Sequence, residues 1–156
     1  MIMSGPTTFA TLDELRDATG RDLGVTEWIE VTQERVNLFA EATGDHQWIH
    51  VDVERATAES PFGGPIAHGY LTLSLSNLFL PQLLAVPAAS AGVNYGTGKV
   101  RFPNPVPVGS RIRGRAEVTA VDEITGGLQT TITVTIEVEG EDKPACVIES
   151  LSRWME

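Results

Sequence analysis

Asp45 and His50 place a carboxylate and an imidazole five residues apart in the run Thr43-Gly44-Asp45-His46-Gln47-Trp48-Ile49-His50. Two such groups on one short segment can share a single water. General acid-base chemistry needs this, because a proton must leave one atom and reach another without free solvent ions. A second run, Pro61-Phe62-Gly63-Gly64-Pro65-Ile66-Ala67-His68-Gly69-Tyr70, passes from a glycine- and proline-rich loop into a long apolar stretch. The first turn of a helix beginning there offers backbone N–H groups to an oxyanion. His46, His50 and His68 are also candidate metal ligands, since His46 and His50 are spaced i, i+4. Gln47 stands where a zinc-protease motif needs a glutamate base, and Gly44 argues against a continuous helix, so no metal is expected.

The flanking segments must position these groups. Thr11-Leu12-Asp13-Glu14 reads as a capping box, and Gly20 is expected to close the short helix it begins, a peripheral addition over about residues 1–22. Val25 to Val31 reads as a strand. Thr32 then caps a helix whose Val36, Phe39, Ala40 and Thr43 follow the i, i+3, i+4, i+7 spacing, and Gly44 ends it. Asp45 and His50 are therefore expected on irregular backbone just past a helix end. From Ile66 to Val86 the chain is apolar on nearly every side, which predicts one long core helix surrounded by sheet. His68, Asn77, Pro81 and Gln82 interrupt that stretch and no basic flank orients it, so a membrane span is not expected. Trp48 and Tyr70 are expected to pack rather than touch a ligand.

Strict alternation marks the sheet. Ile112, Gly114, Ala116, Val118 and Ala120 alternate with Arg111, Arg113, Arg115, Glu117 and Thr119; Ile132, Val134, Ile136 and Val138 alternate with Thr131, Thr133, Thr135, Glu137 and Glu139. Gly126-Gly127 and Gly140 to Lys143 supply turns, and Lys99 to Phe102 and Ala145 to Trp154 complete about five antiparallel strands. One long helix and one antiparallel sheet make an α+β domain, and 156 residues suffice for one core.

Charge narrows the partners. A net charge of −10 argues against nucleic acid. No Asp or Glu occurs between Ser60 and Ala116, where Lys99, Arg101, Arg111, Arg113 and Arg115 lie. Such a strip suits a small anionic ligand, or else solvates the outer face of a sheet. The single cysteine, Cys146, excludes an internal disulfide and sits in an apolar run, as a buried thiol in a reducing compartment would. With no signal-peptide pattern at the N-terminus, a cytoplasmic location is expected.

From about Val25 onward, the order of elements and the two motifs resemble the hotdog fold of the MaoC-like (R)-specific enoyl-CoA hydratases, and especially their nodulation-protein-N-like branch. The signature of that family runs Gly-Asp, any residue, Asn-Pro, an aliphatic residue and His. Here it reads Gly44-Asp45-His46-Gln47-Trp48-Ile49-His50, with Gln47 in place of Asn and Trp48 in place of Pro. The second family motif, Pro-aliphatic-x-His-Gly, is present as Pro65-Ile66-Ala67-His68-Gly69. The resemblance implies reversible hydration of trans-2-enoyl thioesters to (R)-3-hydroxyacyl thioesters, without a cofactor. It implies that Asp45 and His50 handle the water and its proton, that the Gly69 N–H binds the thioester oxygen, and that His68 and Gln47 support them. Lys99, Arg101 and Arg113 are the expected contacts for CoA phosphates. An acyl-carrier-protein thioester, which shares the phosphopantetheine arm, is the other expected substrate.

Two rivals stand beside this reading. A hotdog acyl-CoA thioesterase tends to use a carboxylate on or near the central helix, where this chain has none. A non-catalytic acyl-thioester-binding subunit is disfavoured by the presence of both Asp45 and His50. An open sheet edge, together with the resemblance, leads to the expectation of a homodimer.

Overall fold

A computed structural model describes residues 5–156. The outer strands and helices come first in the chain. Strand β1 (Thr7–Thr8) precedes helix α1 (Leu12–Arg16), whose N-cap hydroxyl on Thr11 accepts from the Glu14 N–H. Glu14 reaches back in turn to the Ala10 N–H at 2.7 Å. The helix stops at Arg16, not at Gly20, and Phe9, Leu15 and Ala18 all enter the main buried cluster. The peripheral addition is thus part of the core; residues 1–4 of that segment lie outside the described residues.

The expected strand from Val25 to Val31 is two strands, β2 (Asp22–Val25) and β3 (Ile29–Glu30). Both pair antiparallel with one long strand, β6 (Arg111–Ile124). The break has a local cause. The Thr26 N–H donates to the Gly114 carbonyl while its hydroxyl accepts from the Gly114 N–H at 3.0 Å, so a side chain takes over one rung of the ladder. Helix α2 (Gln33–Thr43) follows as expected, capped by Thr32 and ended by Gly44 at φ 80°. Two short helices not expected as such come next: α3 (Trp48–Val51) and α4 (Val53–Glu59), the latter capped by the Asp52 carboxylate on the Arg55 N–H.

The core helix is also in two pieces, α5 (Gly69–Ser74) and α6 (Ser76–Leu83). At the junction the Leu78 N–H turns to the Leu75 carbonyl, one residue short of the α-helical partner, and Pro81 removes a further donor inside α6. Leu84–Ala85 leave as strand β4, which runs parallel to β1. Tyr70 is 71% exposed and Leu78 39%, so within one chain this helix pair is not enclosed on all sides.

Strand β5 (Ala91–Arg101), β6, β7 (Gly127–Val138) and β8 (Cys146–Met155) form the body of the sheet, in the order β2-β6-β7-β8-β5. The sheet is therefore five positions wide, with β2 and β3 sharing one of them. Its inner face, including Ile112, Val118, Ile132, Val134, Ile136 and Ile148, packs on Phe79 and Leu83 of α6. Burial raises the Cys146 thiol to about 11, which leaves it a protonated, inert core residue. No helix among the described residues is long and apolar enough to cross a membrane.

Candidate active site

Asp45, His50, His68 and Gly69 meet in one cleft of about 490 Å³, whose other walls are Phe39, Thr43, Tyr70 and Phe102. Three elements bring them there. Helix α2 ends at Gly44 and releases the chain into the loop that carries Asp45. His50 lies in the single turn of α3, not on irregular backbone, and His68 is the N-cap of α5 with Gly69 as its first residue. The two segments are stapled together, because the Ile66 N–H donates to the Ile49 carbonyl and the His50 ring bonds back to the Ile66 carbonyl.

That ring bond fixes the tautomer. Nδ1 of His50 lies 2.6 Å from the Ile66 oxygen, which can only accept, so Nδ1 carries the proton and Nε2 is left as a free acceptor. Burial lowers the His50 pKa from its ordinary 6.5, with His68 pushing the same way and the Ile66 bond and Asp45 opposing. The neutral ring is the resting form. His68 works differently: its Nε2–H donates to the Asp45 backbone carbonyl at 2.9 Å and pins the loop, while its ring stacks on His50 with centroids 3.9 Å apart. Its Nδ1 is buried without a partner among the described residues. What reaches the Asp45 side chain from Gln47 is the backbone N–H, at 3.3 Å, in an Asx turn.

One side-chain atom from each of Asp45, His50 and His68 lies within 4.8 Å of the other two. Two acceptors bridged by one water, with bonds of about 2.8 Å each, sit at a comparable spacing. The same three residues fit a metal poorly. Imidazole lone pairs lie in the ring planes, and two rings stacked at 26° carry them side by side and not toward a common point.

Gly69 needs no unusual backbone angle, for its φ is not positive. A Cβ there would sit in ordinary van der Waals contact with the Phe102 ring, at 3.5 Å. Tyr70, expected to pack, instead lines this cleft and faces Phe102 at 6.3 Å.

Gln33 was not singled out by sequence. Its Nε2 donates to the His50 carbonyl at 2.7 Å and to the Asn37 Oδ1 at 2.9 Å, tying α2 to the turn that carries the imidazole. Its Oε1 is buried and has no partner among the described residues, a cost borne for the donor at the other end of the same amide. The i, i+4 pair Gln33 and Asn37 on one helix face was the available signal. Gln33→Leu is expected to lower kcat about tenfold with little change in KM, as loosened positioning does. Steady-state kinetics on the folded variant checks it, and an unchanged kcat assigns Gln33 to stability alone.

The basic strip divides. Arg111 pairs with Glu139, while Arg113 and Arg115 both bond Glu137, at 2.6 and 3.3 Å. Burial raises the Glu137 pKa, but the two guanidinium groups outweigh it and the carboxylate ends below its ordinary range. Arg113 also lies over the Trp28 ring at 4.3 Å. Lys99 and Arg101, on β5, have no ion pair among the described residues.

A sheet wrapped on a central helix, with a carboxylate and two imidazoles gathered in a cleft at the start of that helix, is the arrangement of a hotdog-fold hydro-lyase. Residues 14–140 match the family model described as MaoC like domain. The chain is 50% identical over 149 residues to 3-hydroxyacyl-thioester dehydratase Z of Mycobacterium tuberculosis, covering 95% of this chain and 98% of that one. It is 48% identical over 138 residues to Nodulation protein N of Rhizobium leguminosarum bv. viciae, covering 86% and 85%. The (R)-hydratase from A. caviae, described as involved in PHA biosynthesis, superposes with a TM-score of 0.72 at 26% identity, over 87% of this chain and 96% of that one. The chain belongs to the MaoC-like dehydratase family.

Proposed function

We propose that this protein reversibly hydrates trans-2-enoyl-CoA to the (R)-3-hydroxyacyl thioester, with Asp45 and His50 as the acid-base pair and the Gly69 N–H as the oxyanion donor. The observation that carries this reading is the His50 ring, held neutral with Nδ1 committed to Ile66 and Nε2 free in the cleft beside Asp45. In the resting state both the Asp45 carboxylate and His50 Nε2 are acceptors. A water between them donates both hydrogens and keeps a lone pair for the substrate β-carbon. Charge then builds on the thioester oxygen, where the start of α5 meets it, and the proton taken by the pair returns to the α-carbon. Because the two groups are coupled, the pair is treated as one unit. The similarity to a named 3-hydroxyacyl-thioester dehydratase supports this chemistry. Loss of absorbance at the enoyl-thioester band on mixing with crotonyl-CoA tests it, and thioester hydrolysis or inertness in that assay would select one of the rival readings instead.

Among the expected phosphate contacts, Arg113 is drawn into its cross-strand pair, so the role falls to Lys99 and Arg101. Neutralising both is expected to raise KM for crotonyl-CoA about fivefold at low salt and to spare crotonyl-pantetheine, which has no phosphate. Equal effects on the two substrates would return these residues to the solvated face.

We read the residues as one domain that acts as a homodimer. Strand β5 pairs with β8 on one side only, and exposes Val93 and Tyr95, at 51% and 55%. Pairing that free edge with a second copy satisfies its backbone and covers those side chains. Sedimentation at micromolar concentration is expected to give about 34 kDa, twice the 16.8 kDa chain mass; a fully active monomer would defeat the dimer.

A further inference from the structure

His50 is carried by a helical turn of four residues, α3, and a helix that short does not hold itself together, because it fixes its dihedral angles for very few hydrogen bonds. Along the turn, the His50 N–H donates to the Gln47 carbonyl and the Asp52 N–H to the Trp48 carbonyl, both at 3.0 Å. The ties from the rest of the site grip its far end. Ile66 bonds the Ile49 carbonyl and the His50 ring, and Gln33 bonds the His50 carbonyl. The near end has no side-chain cap, and Gln47 enters it extended, with φ −57° and ψ 136°. Yet the near end bears on the chemistry. The Gln47 N–H bonds the Asp45 carboxylate, so movement of the link from Gln47 to Trp48 alters the spacing between Asp45 and His50.

Trp48 supplies a tie at that end. Its ring is half-buried, and the Arg55 guanidinium lies over it, 4.2 Å from the ring centre. Arg55 is itself held twice, for its N–H donates to the Asp52 carboxylate at 3.0 Å and its Nε to the Glu59 carboxylate at 3.1 Å. Asp52 ends α3 and starts α4, so the stack closes a ring of contacts around the junction of the two helices. We propose that the stack of Arg55 on Trp48 is a positioning device for the acid-base pair, clamping the start of α3 so that the Asp45 carboxylate and His50 Nε2 keep the spacing that one water bridges. The inference rests on the hydratase reading of the cleft. The first position of a helix is where proline would lock φ without losing a hydrogen bond. Trp48 occupies that position here and is locked from outside instead. Neither Trp48 nor Arg55 lines the cleft, so the clamp acts on the pair and not on the substrate.

Kinetics and amide exchange test this together. Arg55→Ala and Trp48→Leu are each expected to lower kcat for crotonyl-CoA about two- to fivefold with KM unchanged, the size of a half-exposed cation–π contact. The double variant should be no worse than either single one, because both break the same contact. Arg55→Lys should recover part of the loss, since an ammonium attracts the ring without stacking flat on it. Native-state amide exchange reads the turn without turnover. In Arg55→Ala the His50 and Asp52 N–H groups should exchange about two- to fivefold faster, while those of β7 keep the wild-type rate. A wild-type protein inert toward crotonyl-CoA, whose Arg55→Ala variant shows this exchange pattern, retains the clamp and loses the hydratase reading. Active protein with unchanged kcat in both single variants overturns the clamp, whether or not exchange speeds up, and so does a loss of kcat with unchanged exchange. A raised KM with kcat intact also overturns it, by showing that these side chains meet the substrate.

Discussion

Asp45→Asn and His50→Gln are each expected to lower kcat for crotonyl-CoA by about 10²-fold or more, because each replaces a group that can take up and return the water's proton with a carboxamide that cannot. The double variant should be little worse than the poorer single one, since the groups act as a unit. The pH profile adds a second signature. His50 must be neutral to accept a proton, and burial lowers its pKa from 6.5. Wild-type activity should therefore persist below pH 6.5 and fall only as the pH passes through the lowered value. The same shift affects stability: the unfolded chain takes up the proton first, so stability is complete above 6.5 and declines as the pH falls toward the folded pKa. Returning acid-treated enzyme to neutral buffer separates reversible titration from unfolding. Full activity in both single variants would remove the acid-base assignment altogether.

The residues that do the chemistry were legible because their signals are local. The helix stop at Gly44, the spacing from Asp45 to His50 and the glycine- and proline-rich lead into His68-Gly69 all lie within short runs. Strand β7 and the first half of β6 were legible too, because there one residue in two is buried against the core. Strand β5 was mostly missed for the converse reason. Ala91 to Gly98 contains Gly92, Gly96 and Gly98, and nearly every residue of the strand is exposed in one chain, so no alternation marks it. The two-piece core helix was hidden because an unbroken apolar run has no periodicity in which a break could show. Arg113 and Gln33 illustrate a third limit. Their partners, Glu137 and the His50 carbonyl, are distant along the chain, and only the strand register and the packing of α2 bring them within reach.

Gly114 looked like one more inward position in an alternating strand, yet it sets how closely helix and sheet approach. A Cβ built there would stand 2.6 Å from the Phe79 Cβ and 2.7 Å from its Cγ. Phe79 is fully buried and cannot swing aside, so α6 or β6 would have to move. Gly114→Ala is expected to destabilise the fold by about 2–3 kcal/mol, the cost of an overpacked core, and to lower Tm by about 5–10 °C. Thermal unfolding checks the size of the effect, and a coupled variant checks its cause. Phe79→Ala alone leaves a cavity and is also destabilising, but in the Gly114→Ala background it removes Cγ and the ring, leaving the Cβ as the one remaining close contact, and the emptied space lets α6 relax away from it. The double variant should therefore be more stable than the sum of the two losses allows. Strict additivity would mean that the methyl group is accommodated elsewhere, and that the close contact between α6 and β6 is not what requires glycine at this position.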